Sequence, residues 1–190
     1  MVDAVKLQTV TLFRRNFTTV GVVTIHEDQS ISVDGTVEAK ATFDRLPVRF
    51  RTVSGEFVLG IQDELTSLEG CPSTVLGYFK LSAPKLKSLE HAPVDVRGSF
   101  KVNSAALESL EHLPKEGSRS YMLTWWPRLP MLRLVDANAV KWGYSVKYGG
   151  ISAGIPATQI LDKYVGKGQN HMLELAAELS NAGFKANAQW

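Results

Sequence analysis

A phrase with valine, glycine and a bulky apolar residue at alternate positions recurs four times in this chain. The copies are Val33-Asp-Gly35-Thr-Val37, Val53-Ser-Gly55-Glu-Phe57, Val75-Leu-Gly77-Tyr-Phe79 and Val96-Arg-Gly98-Ser-Phe100. Each is followed by a second phrase: Phe43-Asp-Arg-Leu46, Leu65-Thr-Ser-Leu68, Leu86-Lys-Ser-Leu89, Leu107-Glu-Ser-Leu110 and, more faintly, Leu129-Pro-Met-Leu132. The second phrase starts at intervals of 22, 21, 21 and 22 residues. A fixed period in this range marks stacked supersecondary units rather than one closed globule.

The period-2 alternation inside the first phrase is that of a strand with one buried face. Stacking the copies puts Val37, Phe57, Phe79 and Phe100 in one buried column and Ala39, Leu59, Leu81 and Val102 in the next, at the ~4.8 Å strand spacing. Gly35, Gly55, Gly77 and Gly98 form a third column, where the missing side chain lets the bulky columns on either side pack over the backbone or permits a bulge. The Leu-x-x-Leu phrases supply the opposite wall, each fully buried rung contributing on the order of 1.5–3 kcal/mol. Pro47, Pro72, Pro93 and Pro114 stand at or near the ends of these phrases, where proline turns the chain without needing a ladder hydrogen bond.

The predicted fold is therefore α/β, rich in β: a short leucine-rich-repeat-like solenoid of four to five coils of 21–22 residues. A leucine-rich repeat ordinarily carries an asparagine after the strand to satisfy loop backbone groups. Here Pro84 and Ala105 stand near that place, Asn103 is displaced, and one extra residue lies between Phe57 and Leu65. Residues 1–32 are expected to form an N-terminal β cap, with strands over Thr9–Phe13 and Val20–Ile25. Residues 33–135 carry the repeats. Residues 136–190 form a C-terminal cap with two short helices, one opened by Pro156 and one over 169–182 with Met172, Leu175, Ala176 and Leu179 on its apolar side and Gly183 as its C-cap. All three segments belong to one cooperative domain.

The stretch Ser30-Ile-Ser-Val-Asp-Gly-Thr-Val37, the phrase Leu65-Thr-Ser-Leu-Glu-Gly-Cys-Pro72, Leu129-Pro-Met-Leu-Arg-Leu134 and the ending Asn-Ala-Gly-Phe-Lys-Ala-Asn-Ala-Gln-Trp190 resemble a family of bacteriophage-encoded proteins. Its members carry leucine-rich-like L-T-S-L-E-G-x-P repeats and a short helical tail. The resemblance covers roughly Ser30 to the C-terminus. It implies a source and a fold and transfers no catalytic residue.

Composition sets bounds. With 190 residues, 44% hydrophobic and 21% charged, the chain can bury a core, and a net charge of +2 does not by itself argue for nucleic acid or membrane. A single cysteine, Cys71, excludes an internal disulfide and fits a reducing compartment. Met1–Val10 contains Asp3, Lys6 and Gln8, so no secretory signal is expected, and no stretch reaches the ~20 apolar residues of a membrane span. The expected location is a host cytoplasm, with the virion as the alternative.

Glu69, Glu90 and Glu111 share one repeat position and are followed by Gly70, His91 and His112. A column of this kind reads as a solvated turn, because a metal site needs ligands converging from several directions. Cys71 aligns with Ala92 and Leu113 and reads as an inert buried thiol. Neither a phosphate-binding glycine loop nor a Ser-His-Asp elbow is present, so no enzyme, metal or cofactor is expected.

Binding is expected on the outward face of the strands, acidic at its start (Asp34, Glu38) and basic at its end. The candidate residues there are Tyr78, Lys80, Arg97, Lys101 and Asn103, an aromatic among cations being favoured at recognition surfaces. Trp125 and Trp126 are the second candidate, since adjacent strand residues point to opposite sides. The preferred function is a protein-interaction module acting in the infected cell on a host or phage macromolecule. A virion or assembly component that self-associates as a homo-oligomer is the alternative. Nucleic acid, through Lys80, Arg97, Lys101, Lys85 and Lys87, ranks third because acidic residues share the face.

Overall fold

A computed structural model describes residues 4–114, 120–123, 129–130, 132, 147–148, 151–152, 156–164 and 167–190. The repeats form a β-rich, parallel-sheet solenoid of about three turns. Helix α1 (Ala4–Asn16) leads into β1 (Phe17–Ile25), which pairs antiparallel along its whole length with β2 (Ile31–Ala39). Strand β2 then feeds two parallel ladders. Its first half pairs with β3 (Phe50–Val53), followed by β5 (Thr74–Val75) and β7 (Asp95–Val96). Its second half pairs with β4 (Phe57–Ile61), followed by β6 (Phe79–Ser82), β8 (Ser99–Asn103) and β9 (Ser120–Leu123).

Each later copy of the first phrase is thus two strand segments rather than one. The break falls at the glycine, but the hydrogen bonding between coils does not stop there. Gly55 donates to Gly35, Gly77 to Gly55 and Gly98 to Gly77, each at 2.8 Å. A Cβ on Gly77 or Gly98 would lie 2.5 Å from the carbonyl oxygen of the glycine below. The column is needed for close approach of backbone, since any larger residue would push successive coils apart.

The first predicted column superposes; in the second, Leu81 and Val102 are in register, but Gly60 rather than Leu59 stands opposite Leu81 and Ala39 is only half-buried, because the bulge after Val58 displaces Leu59. Val37, Phe57, Phe79 and Phe100 are in register and fully buried. The rings of Phe57 and Phe79 stack at 6.0 Å and 13°, and those of Phe79 and Phe100 at 5.2 Å and 11°. Leu65, Leu68, Leu86, Leu89, Leu107 and Leu110 line the opposite wall, all buried, and so are Leu129 and Leu132 of the faint fifth phrase. The extra residue after Phe57 is absorbed at a register shift between Val58 and Gly60, where Gly60 takes a φ of 65° that costs glycine little.

The return segments are built alike. Ser67, Ser88 and Ser109 each accept from the amide two residues on, at 3.1, 3.0 and 3.0 Å, and Gly70, His91 and His112 all adopt positive φ. The repeat position that pairs glutamate with glycine or histidine is therefore a turn needing a left-handed residue, which glycine takes freely and histidine tolerates.

Two expectations fail in detail. The strand expected over Thr9–Phe13 is helical, and it belongs to α1. Thr9 and Phe13 are four residues apart and both buried, so the buried face has the helical period despite the β-branched residues. The hydroxyls of Thr9 and Thr11 bond back to the carbonyls of Val5 and Leu7, and Phe13 packs against Phe17 and Phe50. At the other end α2 (Pro156–Asp162) begins at proline as predicted, but the last helix opens with a 3-10 turn (Gln169–His171) before α3 (Met172–Asn181). Its stripe is buried at Met172, Leu175 and Leu179. Gly183, at φ 91°, ends it as expected, with Phe184 donating to Leu179 and Gly183 to Ser180. The tail then docks on the fifth phrase through Asn187 Nδ2 to the Leu129 carbonyl, 2.8 Å, and Leu132 N to the Gln189 carbonyl, 3.2 Å.

Candidate functional site

The outward face is a set of columns fixed by strand register. One column runs Glu38, Val58, Lys80, Lys101, and another runs Ser32, Thr52, Thr74, Asp95. Between them stand Thr36, Glu56, Tyr78 and Ser99, the residues just before the buried column. The change from acid to base along the stack is therefore a property of the fold. Lys80 and Lys101 are direct neighbours at the ~4.8 Å strand spacing, an arrangement that repels unless an anion or an acidic group shares it. Neither makes an ion pair among the described residues.

Tyr78 is exposed at 37%. The nearby Glu56 carboxylate, then desolvation, then the charges of Glu56 and Glu38 raise its pKa above the ordinary phenol value. The hydroxyl is thus kept neutral, and Tyr78 stands two residues before Lys80 on the same face. Arg97, by contrast, is committed: its Nε lies 2.9 and 3.0 Å from the two carboxylate oxygens of Asp95, two residues earlier in β7. Asn103 is exposed at the end of β8, in register with Ser82 and two residues beyond Lys101 on the same side. The fold brings Tyr78, Lys80, Arg97, Lys101 and Asn103 onto one face. Trp125 and Trp126 lie outside the described residues.

Further up the face lies a shallow groove lined by Thr24, Ser32, Asp34, Thr52, Ser54 and Thr74 with Leu76 at its edge. Four of its polar residues are already linked: Thr52 Oγ1 donates to Ser32 Oγ at 3.0 Å, His26 Nε2 lies 2.8 Å from that same oxygen, and Ser54 Oγ donates to Asp34 Oδ1 at 2.6 Å. Extending the strand alternation two positions upstream of Asp34, Ser54 and Leu76 would have found this belt in the sequence.

On the return side, Glu90 and His91 are exposed and 3.7 Å apart, and no cluster of metal-binding character occurs among the described residues. Cys71 is half-buried, and desolvation pushes its thiol above the ordinary range, which favours the protonated form. Cross-coil ion pairs, Lys85 with Glu64 at 2.5 Å and Lys87 with Glu108 at 3.1 Å, occupy lysines otherwise available to an acidic ligand.

The loop-satisfying residue sought in the sequence exists one position earlier than Pro84 and Ala105. Gln62 is buried; its Nε2 donates to the carbonyls of Ala41 and Leu59, and its Oε1 accepts from Phe43 N. Ser104, two repeats on and also buried, donates to the Leu86 carbonyl at 2.6 Å. No helix among the described residues is long and apolar enough to cross a membrane. Comparison with known proteins gives no matching family model, no matching curated protein and no matching solved structure.

Proposed function

We propose that this chain is an interaction module that binds a macromolecule, a protein in first place, through the outward face of its parallel sheet. The observation that carries this reading is the in-register column Glu38, Val58, Lys80, Lys101 beside Tyr78. A rigid ribbon has already lost its conformational freedom, so less entropy is lost when it docks, and the paired lysines with an exposed aromatic ring favour an acidic patch on the partner. In finer detail, we read the solenoid as four to five leucine-rich-repeat-like coils, covered by α1 and β1 at one end and by α2, α3 and the tail at the other. The resemblance of the repeat phrase to phage-encoded proteins favours action inside an infected bacterial cell on a host or phage component.

Affinity capture from infected cells tests this, comparing wild type with a Tyr78→Ala, Lys80→Glu, Lys101→Glu variant and with Lys87→Ala on the return side. A partner retained by wild type and Lys87→Ala but lost by the face variant supports the reading; a partner insensitive to the face variant refutes it. Capture of nucleic acid instead, with an affinity falling steeply with salt, would assign the face to phosphate recognition.

A further inference from the structure

Strand β1 is an edge. It pairs with β2 on one side and, among the described residues, with nothing on the other. Natural sheets blunt such edges with lysine, proline, a bulge or a very short strand. The nine residues Phe17–Ile25, FTTVGVVTI, contain no charge and no proline. Thr18, Val20, Gly21, Val22 and Thr24 are exposed, Val20 at 79% and Val22 at 67%.

The order of these residues is nearly palindromic about Gly21. If a second copy pairs antiparallel with Gly21 facing Gly21, then Thr18 faces Thr24, Val20 faces Val22, Thr19 faces Val23 and Phe17 faces Ile25. Every outward position meets its own kind. The flanks are complementary as well. Arg14 and Arg15 close α1 just before β1, and Glu27 and Asp28 follow just after it. The same two-fold brings the basic end of one copy to the acidic end of the other. Asp28 is already paired with Arg49, whereas Arg14, Arg15 and Glu27 make no ion pair among the described residues.

We propose that the protein forms a two-fold symmetric homodimer by antiparallel β1–β1 pairing centred on Gly21, extending the two sheets into one ribbon. Such an interface is isologous and closes on itself, so it stops at two copies. The two Glu38 side chains belong to strands three spacings apart, about 14 Å, beyond the physiological screening length, so the acidic halves do not oppose pairing. The basic ends, with Tyr78, point away from the dyad and stay free.

The test is sedimentation velocity on the full chain over roughly 5–300 µM, a range suited to a small interface. Wild type is expected to move from monomer to dimer. Val20→Lys/Val22→Lys sets lysine against lysine across the two-fold, and Val20→Glu/Val22→Glu sets glutamate against glutamate; each alone is expected to weaken dimerisation at least about a hundredfold. Mixed together they are expected to dimerise again, because each lysine then meets a glutamate. A wild type that stays monomeric throughout overturns the proposal, and so does a dimer that persists in both charged variants. Independently of any substitution, a mixture of labelled and unlabelled wild type should give intermolecular NOEs between the Thr18 and Thr24 methyls, whose Cβ atoms face at ~5 Å. A dimer lacking them overturns the register and with it the proposal.

Discussion

The amide of Gly77 donates to the carbonyl of Gly55 at 2.8 Å, and a Cβ on Gly77 would lie 2.5 Å from that same oxygen. The central of the three hydrogen bonds that carry the ladder across the strand break, between those of Leu76 to Val53 and of Phe57 to Tyr78, is therefore also the contact that forbids a side chain. Gly77→Ala must open the stack or lose the bond, and it is expected to destabilise by about 3 kcal/mol, lowering Tm by roughly 6–12 °C. Gly60→Ala is the control: nothing lies within 4 Å of its Cβ position, so only the cost of a positive φ applies, about 1–2 kcal/mol. Thermal unfolding of both variants checks the order.

Phe79 is stacked on both sides, by Phe57 and Phe100, and is fully buried. Phe79→Ala removes two ring contacts and leaves a cavity that the stack cannot close from either direction. A loss of about 3–5 kcal/mol is expected in urea unfolding. Phe43→Ala, at a half-buried ring in the first return segment, is expected to cost less.

Gln62 satisfies the Ala41 carbonyl and the Phe43 amide of the first return segment and the Leu59 carbonyl of β4. Gln62→Leu keeps the volume and removes all three partners, so a loss of about 3 kcal/mol is expected, from unsatisfied backbone rather than from a cavity. Hydrogen exchange at the Phe43 amide should quicken in this variant while exchange in the strands is unchanged.

These residues show what was readable from the chain and what was not. The buried columns and the Leu-x-x-Leu wall follow directly from a period that repeats at fixed offset, since Phe57, Phe79 and Phe100 occupy one alignment position and can share only one environment. The break of each strand at glycine was not readable, because alternation of apolar residues continues through it and only the closeness of successive backbones distinguishes a bend from a straight strand. Gln62 was missed for a related reason: its alignment mates are Ala83 and Ser104, so no residue type repeats, and its importance appears only when it is seen to be buried. Thr9–Phe13 was misread because local β-branched composition outweighed a helical spacing visible only once Thr9 and Phe13 were known to face inward. On the site, the face and its charge gradient followed from alternation, but the withdrawal of Arg97 into its pair with Asp95 required side-chain geometry.

Asp28 is held below the ordinary carboxylate range, chiefly by the Ser30 hydroxyl and amide that donate to it and then by Arg49. A carboxylate depressed on folding stabilises the folded state at pH above its unfolded value, here near 3.8, and that contribution is lost as pH falls through the lower folded value. Asp28→Asn should therefore lower Tm at about pH 6, with the gap to wild type closing toward about pH 2. Parallel melts across that range measure it, and a gap that does not change with pH would assign the turn's stability to something other than this charge.

Cys71 should resist alkylation in the folded protein at mildly alkaline pH, because desolvation favours the protonated thiol. Labelling is expected to become complete only in denaturant, with the rate following global unfolding. Rapid native labelling would place the sulfur in water.

The most direct test of the stacked architecture is the pattern of NOEs among assigned phenylalanine rings in solution. Contacts between Phe57 and Phe79 and between Phe79 and Phe100 are expected, with none directly between Phe57 and Phe100, which stand two rungs and about 10 Å apart. Missing neighbour contacts, or a direct contact between Phe57 and Phe100, would contradict the solenoid and the binding face built on it.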